Sequence, residues 1–102
     1  FPQIVGLGLS STSRFYAIAD LEEARAYMQH PMLGAHMIEI CGVLLGLSAN
    51  DAEDVMGYPD DLKLRSSMTL FSQAVPSVKQ VLDKYFDGKM DQKTLEILGE
   101  HA

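Results

Sequence analysis

A repeated helix-start pattern is the feature that most constrains the fold. From residue 20 onward, side chains that can cap a helix stand just before apolar residues at helical spacing. Asp20 and Glu23 have the spacing of a capping box, in which side chains accept hydrogen bonds from backbone N–H groups of the first turn. Ser48 and Asp51 repeat this pattern before a short helix that ends at Gly57, and Asp91 caps a last helix. Pro76 suits the first turn of another helix, which Gly88 stops and whose buried stripe is Val78, Val81, Leu82 and Tyr85. A helical turn is also predicted around residues 14–19. No segment alternates apolar and polar residues as a half-buried strand does. The sequence therefore predicts an all-α domain of five to six helices.

The segment 32–47 is apolar or small almost throughout, which is typical of a helix buried on all sides. We therefore expect it to be the central helix. Its predicted buried stripe is Leu33, Met37, Ile40 and Leu44. Its glycines, which we expect where neighbouring helices approach closely, are Gly34, Gly42 and Gly46.

The segment 59–71 is predicted to form an amphipathic helix that Asp60 or Asp61 caps. Its apolar face is Leu64, Met68, Phe71 and Val75, and its polar face is Arg65, Ser66, Thr69, Ser72 and Gln73. Ser67 is expected to point toward the core and to bond the carbonyl one turn back. An arginine beside hydroxyls can bind phosphate or carboxylate, since the guanidinium is a planar fork of donors. The alternative is a solvated arginine on an ordinary surface.

Charge, length and cysteine content exclude several classes of protein. The chain has 8 basic and 14 acidic residues, for a net charge of −6, which disfavours binding to nucleic acid or to an anionic membrane. With a single cysteine, Cys41, the chain cannot form an internal disulfide. We expect Cys41 to be an inert core residue and the protein to be cytoplasmic. No apolar run is long enough to span a membrane. With 102 residues, 47% of them apolar, residues 1–102 are predicted to form one domain.

The residues with metal or acid–base chemistry are isolated from one another. His30 and His36 lack the spacing of a structural zinc site and there is no cysteine pair, so no metal or cofactor is predicted. His36 is expected in the core and His30 beside the start of the next helix. The neighbouring carboxylates at 22 and 23 do not face each other on a helix, and the glycines at 6 and 8 lack the context of a phosphate-binding loop. The sequence does not decide whether the protein is an enzyme.

Short motifs extend along the chain: Phe1-Pro2-Gln3 with Gly6-Leu7-Gly8, Tyr16-Ala17-Ile18, Glu23-Ala24 with Ala26-Tyr27, His30-Pro31 with Leu33-Gly34, and residues 59–71. Together they resemble the domain of unknown function 1810 family, small bacterial proteins without an established activity. The resemblance implies a compact multihelical single domain.

The resemblance also implies an upstream segment with a helix and a His-Trp-Met-Trp-Phe-like stretch. This chain begins at Phe1 and has no tryptophan, so we interpret it as part of a longer polypeptide. The position of His36 is commonly arginine in the family. A calpastatin label that some relatives carry disagrees with the regular apolar period, because such inhibitors are disordered.

Two functions are compatible with these features. In the first, the loop between Gln3 and Arg14 meets the polar face of the 59–71 helix and binds a small polar or phosphorylated metabolite of nucleotide or ADP-ribose type. The candidate binding residues are Gln3, Ser10, Arg14, Arg65, Ser66 and Thr69. In the second, the domain is an interaction module or a homodimeric accessory protein without chemistry. The methionines, especially Met28, Met32, Met56 and Met90, are compatible with an adaptable surface for such a module and equally with ordinary filling of the core, which we favour. Monomer and homodimer both stay open.

Overall fold

Helices dominate the described chain, which confirms the all-α prediction. The computed structural model describes residues 2–3 and 17–100. Six α-helices and one 3₁₀ helix lie in these residues: α1 (Leu21–Gln29), α2 (Leu33–Gly46), α3 (Ala52–Met56), α4 (Asp60–Ser72), the 3₁₀ helix (Pro76–Val78), α5 (Lys79–Phe86) and α6 (Gln92–Glu100). None of the described helices combines the length and apolar character needed to cross a membrane.

Helices α1 and α6 begin at their predicted capping residues, whereas the predicted cap of α3 at Ser48 is wrong, because Asp51 holds the capping position three residues later. Asp20 Oδ1 accepts a hydrogen bond from the Glu23 N–H at 2.8 Å, and Glu23 Oε2 accepts one from the Ala19 N–H at 3.2 Å. The glutamate thus reaches one residue further upstream than in the usual capping box. Asp51 and Asp91 accept hydrogen bonds from backbone N–H groups in the first turns of α3 and α6. Local side-chain chemistry therefore sets where these helices start.

The predicted cap of α4 is wrong. Pro59 holds the capping position and makes no side-chain hydrogen bond, while Asp60 and Asp61 lie in the first turn. Their negative charges still suit the positive end of the helix dipole. Asp61 Oδ1 is buried and has no hydrogen-bond partner among the described residues.

The helical turn predicted around residues 14–19 is wrong at its described end. Residues 17–19 are not helical, and the Ile18 N–H donates to the Gln3 carbonyl at 2.7 Å. Residues 14–16 lie outside the described part of the chain.

The central helix is α4 and not α2. Helix α4 packs against α1, α3, the 3₁₀ helix, α5 and α6, whereas α2 packs against α1 and α5. Leu64, Met68 and Phe71 are fully buried, as predicted for the apolar face of α4. The Phe71 ring also contacts Tyr27 of α1, with 5.0 Å between the ring centroids. The core of the domain is therefore built around α4.

The predicted buried stripe of α2 is half wrong. The residues that this helix buries are Gly34, Met37, Cys41 and Leu44. Leu33 and Ile40 are 40% and 43% exposed. The helix is rotated by about one residue from the predicted orientation, because α2 is apolar on every side and its sequence does not specify which face is buried.

Close approach explains one glycine of α2 and not the other two. A Cβ atom at Gly34 would lie 2.0 Å from the carbonyl oxygen of Met28 in α1, so only glycine allows this contact. Cβ atoms at Gly42 and Gly46 would meet nothing within 4 Å. The prediction of close helix contacts is confirmed at Gly34 and wrong at the other two positions within the described structure.

The carboxyl end of α2 is held by α5. The ammonium group of Lys84 donates to the carbonyls of Leu44 at 2.8 Å and Leu45 at 3.0 Å, and also to that of Leu47. The hydroxyl of Tyr85 donates to the Leu44 carbonyl at 2.5 Å. These carbonyls have no partner within their own helix, so α5 supplies an external cap.

The buried face of helix α5 and the position of its end agree closely with the prediction from the sequence. The predicted stripe of Val78, Val81, Leu82 and Tyr85 is buried. Asp87 and Gly88 have positive φ angles of 57° and 74°, and the Gly88 N–H bonds the carbonyl of Leu82 at 3.0 Å. This left-handed end is a common helix stop, and it turns the chain into the loop that precedes α6.

Candidate functional site

The Arg65–Thr69 row of α4 binds the loop between α5 and α6. Arg65 donates from Nε to the Lys89 carbonyl at 3.0 Å and from Nη2 to the Met90 carbonyl at 2.8 Å. One turn along, the Thr69 hydroxyl accepts a hydrogen bond from the Asp91 N–H at 2.8 Å. The row that sequence reasoning assigned to a ligand thus holds residues 89–91 of its own chain.

Ser66 connects α4 to the described part of the N-terminal segment. Its hydroxyl is 2.6 Å from Gln3 Nε2, which donates to it. The same oxygen lies 3.2 Å from the Leu62 carbonyl and 3.1 Å from the Lys63 carbonyl one turn back. Gln3 and Ser66, both candidate binding residues, are therefore in direct contact.

The three hydroxyl residues of the predicted polar face of α4 do not face solvent. Ser66, Thr69 and Ser72 are buried, at 2%, 0% and 9% exposure. The hydroxyl of Thr69 donates to the Arg65 carbonyl at 2.8 Å, and that of Ser72 donates to the Thr69 carbonyl at 2.8 Å. Because these hydroxyls bond backbone carbonyls of their own helix, burying them costs little free energy. Gln73 is exposed and Arg65 is half-buried.

Ser67 differs from these hydroxyl residues in its hydrogen bonding. It is 0% exposed, as expected for a residue that points to the core. Its hydroxyl has no hydrogen-bond partner among the described residues, so the predicted bond to the carbonyl one turn back is wrong.

The six candidate binding residues fall into separate groups. The structure brings Gln3 to Ser66, and it directs Arg65 and Thr69 to the 89–91 loop. Ser10 and Arg14 lie outside the described residues. A binding role for each of the six stays a prediction.

A cleft of about 510 Å³ opens beside Arg65, between α4, the start of α5 and the 89–91 loop. Its lining residues are Arg65, Lys79, Gly88, Lys89, Met90, Gln92 and Leu95. Three of the 8 lysines and arginines of the chain are in this set, and no carboxylate is. The cleft wall is therefore cationic in an otherwise acidic protein.

Within the described residues, the donors of Arg65 are only partly used. A guanidinium has five N–H groups, and two of them bond carbonyls of the loop in this part of the chain. Gln92 is the first residue of α6, where the helix dipole is positive. Asp83 Oδ1 lies 3.1 Å from where a Cβ on Gly88 would stand, and Asp87 and Asp91 are sequence neighbours of the lining residues. The lining itself has three cations and no carboxylate, which favours an anion.

Sequence reasoning missed Lys79, Lys89 and Gln92. Each is isolated in the sequence, and the turn at Asp87 and Gly88 brings the three side chains to one cleft. The predicted stop at Gly88 indicated the turn. The partners that the turn brings together could not be read from it.

Cys41 is a buried residue of the core, as predicted. It is 6% exposed, and its Sγ lies 3.8 Å from Met68 Sδ of α4. Burial raises the pKa of the Cys41 thiol above its ordinary value of 9.0. Since the thiolate is the reactive form, this residue is poorly suited to be a nucleophile.

The two described histidines differ in role. The ring of His30 accepts hydrogen bonds at Nδ1 from the N–H groups of Met32 at 3.1 Å and Leu33 at 3.2 Å. It therefore lies beside the start of α2, as predicted, and the hydrogen bonds at this end were not predicted. His36 is exposed, and the prediction of a core histidine is wrong because its side of α2 faces outward. Residues 2–3 and 17–100 contain no group of three or more metal-ligating side chains.

The four methionines, for which the sequence left an adaptable surface or core filling open, differ in exposure. Met32 is 63% exposed. Met28, Met56 and Met90 are half-buried and pack against the core. A methionine-rich surface is thus reduced to one residue at the start of α2.

Comparison with known proteins identifies the family. Residues 1–98 match the family described as "Protein of unknown function (DUF1810)". The chain belongs to the DUF1810 family. This DUF1810 domain is similar to the crystal structure, at 1.38 Å, of the conserved hypothetical protein Rv1873 from Mycobacterium tuberculosis. The TM-score is 0.91 at 41% sequence identity, over 95% of this chain and 71% of that one. No curated protein matches the chain.

Proposed function

We propose that this DUF1810 domain binds a small phosphorylated metabolite in the cleft between α4, α5 and α6. The observation that carries the proposal is the cluster of Arg65, Lys79 and Lys89 on one wall of a chain with a net charge of −6. Cations of an acidic protein gain most from being near carboxylates, yet the lining of this cleft has none. A multiply charged phosphate group is the ligand that such a wall favours.

The dimensions and lining of the cleft suit a metabolite larger than free phosphate. Its volume of about 510 Å³ lies within the usual range of small-molecule sites, about 300–1,000 Å³. Met90 and Leu95 add apolar surface beside the cations, which a sugar or a base could contact. A nucleotide or an ADP-ribose-type compound combines both kinds of group.

The cations have different tasks in this proposal. Arg65 offers a planar fork for two phosphate oxygens, and the lysines act as flexible point charges. Gln3, Ser66 and Thr69 position α4 and the loop through the hydrogen bonds described above. Direct contacts from Ser10 and Arg14 stay part of the prediction. A cytoplasmic location, expected from charge and cysteine content, belongs to the same proposal.

Titration calorimetry with phosphate, pyrophosphate, ADP and ADP-ribose tests the proposal. ADP or ADP-ribose is expected to bind more tightly than phosphate, with an affinity that falls as salt rises. The double variant Lys79→Glu with Lys89→Glu should weaken binding at least tenfold. Arg65 is not the residue to vary, because its loss would also loosen the 89–91 loop.

Lys63→Glu is the matched control, since Lys63 is exposed on α4 and is not part of the cleft lining. It should leave the affinity within about twofold, allowing for long-range electrostatics. The proposal fails if the double variant binds as well as the unmodified protein. It also fails if none of the four compounds binds with a Kd below about 1 mM.

A protein interaction module is the second candidate function. The observation that favours it is the set of exposed apolar side chains on α2, which lies away from the cleft.

A further inference from the structure

We propose that the cleft selects its ligand by an aromatic ring, so that the ligand is a nucleotide and not a sugar phosphate. The ring lies on an apolar platform, which is defined by the side chains of Met90 and Leu95. This inference rests on the proposed phosphate site in the same cleft, and it names the group that the bound phosphate carries.

The platform is built from two segments that meet at the cleft. Met90 belongs to the loop before α6, and Leu95 lies in the first turns of α6. Leu95 is half-buried, yet within the described residues it is not one of the apolar side chains that pack against the core. Its apolar surface is therefore available to a ligand in the cleft.

Met90 is held at both its backbone and its side chain. Its carbonyl accepts a hydrogen bond from Arg65 Nη2 at 2.8 Å, and its Sδ lies 3.7 Å from Gln73 Nε2. The side chain is half-buried and packs against the core. A methionine that is already held loses less conformational freedom when a ligand binds on it, so the platform is partly organised in advance.

The platform begins where the cationic wall ends. Arg65 bonds the carbonyl of Met90 directly, and Lys89 precedes Met90 in the loop and lines the same cleft. A ligand that is held at Arg65 and Lys89 by its phosphate therefore has Met90 as an immediate neighbour. The group that a short linker joins to the phosphate is the one that contacts the platform, and in a nucleotide this group is the base.

The lining favours a base over a sugar at this position. Hydroxyl groups that leave water need hydrogen-bond partners, because an unpaired buried hydroxyl is unfavourable. Among the described residues that line the cleft, Gln92 has the one neutral polar side chain, and none is serine, threonine, asparagine or a carboxylate. A base has flat faces that can lie on apolar side chains, and thioether sulfur makes favourable contacts with aromatic rings.

Titration calorimetry of the full chain with AMP and ribose 5-phosphate tests the inference. The two compounds share the phosphate and the pentose and differ in the base. AMP should bind the unmodified protein at least tenfold more tightly. Leu95→Gln keeps a side chain that favours a helix but removes apolar surface from the platform. It should weaken AMP binding at least fivefold and leave the affinity for ribose 5-phosphate within twofold.

Leu62→Gln is the matched control, since Leu62 is 49% exposed on α4 and is not part of the cleft lining. It should leave both affinities within twofold. Circular dichroism of the two variants should show the helix content of the unmodified protein.

Nuclear magnetic resonance of the unmodified protein with labelled methionine methyl groups locates the ring without altering the platform. The ring current of a bound base should move the Met90 methyl signal upfield on addition of AMP, whereas ribose 5-phosphate should not. The Met90→Leu variant assigns the signal, and Met68, which is fully buried in the core, is the internal reference.

The inference is overturned if AMP and ribose 5-phosphate bind the unmodified protein equally well, or if bound AMP leaves the Met90 signal unchanged. It is also overturned if a folded Leu95→Gln variant binds AMP normally. ADP, titrated under the same conditions, separates these results from failure of the proposed function. If ADP binds, the phosphate site stands without the platform; if none of the three compounds binds with a Kd below about 1 mM, the proposed function fails as well.

Discussion

Helix α4 carries five hydroxyl or charged side chains between Arg65 and Ser72, yet residues 66–72 are all buried. Helix α2 carries one carboxylate, yet it exposes an apolar stripe to solvent. This difference shows that the polar or apolar composition of a helix does not determine how deeply the helix is buried. Serine and threonine can bond carbonyls of their own helix, so their burial is inexpensive. The exposed apolar side chains of α2 are not buried by any described part of the chain, so they add little to the stability of the domain.

Truncating one apolar residue on α4 and one on α2 gives the largest expected difference in the free energy of unfolding. Leu64→Ala removes a side chain of α4 with 0% exposure and should lower the free energy of unfolding by about 2–5 kcal/mol. Ile40→Ala affects a residue of α2 that is 43% exposed, and should cost less than about 1 kcal/mol in the monomer. Urea unfolding at low protein concentration measures both. Equal losses would show that α2 is as central as α4.

A pair of glycine variants separates the inner and outer faces of α2. Gly34→Ala should lower the free energy of unfolding by about 3 kcal/mol, since its Cβ would meet the Met28 backbone at 2.0 Å. Gly42→Ala should raise it by about 0.5–1 kcal/mol, because alanine favours the helix and the space is open. Chemical denaturation of both variants tests this orientation of α2. A stable Gly34→Ala protein would contradict it.

The external cap of α2 can be removed without touching its apolar residues. Lys84→Met keeps the length of the side chain but removes the donors to the last carbonyls of α2. We expect a loss of about 2 kcal/mol, within the usual range for hydrogen bonds to a charged group. Thermal unfolding measures it. The control is Lys93→Met on the exposed side of α6, and a similar shift in both variants would show that the cap is unimportant.

The smallest effects come from two neighbouring hydroxyls of α4. Thr69→Val should cost about 1–2 kcal/mol, because the half-buried Asp91 N–H loses its acceptor. Thr69→Ser should restore most of it. Ser67→Ala should be neutral or should stabilise by up to about 1 kcal/mol, since this hydroxyl has no partner among the described residues. The midpoints of urea unfolding of the three variants test these expected changes in stability. A clear loss of stability in Ser67→Ala would show that the hydroxyl bonds a water molecule or another acceptor.

Features that depend on neighbouring residues were predictable from the sequence. Asp20 and Asp91 start their helices, and Gly88 follows the last turn of α5, because capping and helix stops act over a few residues. The buried stripe of α5 was also predictable, since this helix has one apolar side and its period alone fixes the orientation.

Features that depend on distant contacts were not predictable. The orientation of α2 follows from the contact of Gly34 with α1, which a helix apolar on every side cannot indicate. The burial of α4 follows from five neighbouring elements. In the candidate site, only Arg65 was named among the cations of the cleft. Lys79 and Lys89 become neighbours through the turn at the end of α5.

The hydrogen bonds from Arg65 and Thr69 to the 89–91 loop have a consequence for how binding would be detected. They tie one wall of the cleft to α4, whose amides are expected to open only when the whole domain unfolds. A ligand in the cleft would therefore slow hydrogen exchange throughout the core, in proportion to the stability that its binding adds. A mobile loop would protect only its own amides, so the reach of the protection distinguishes a rigid cleft wall from a flexible one.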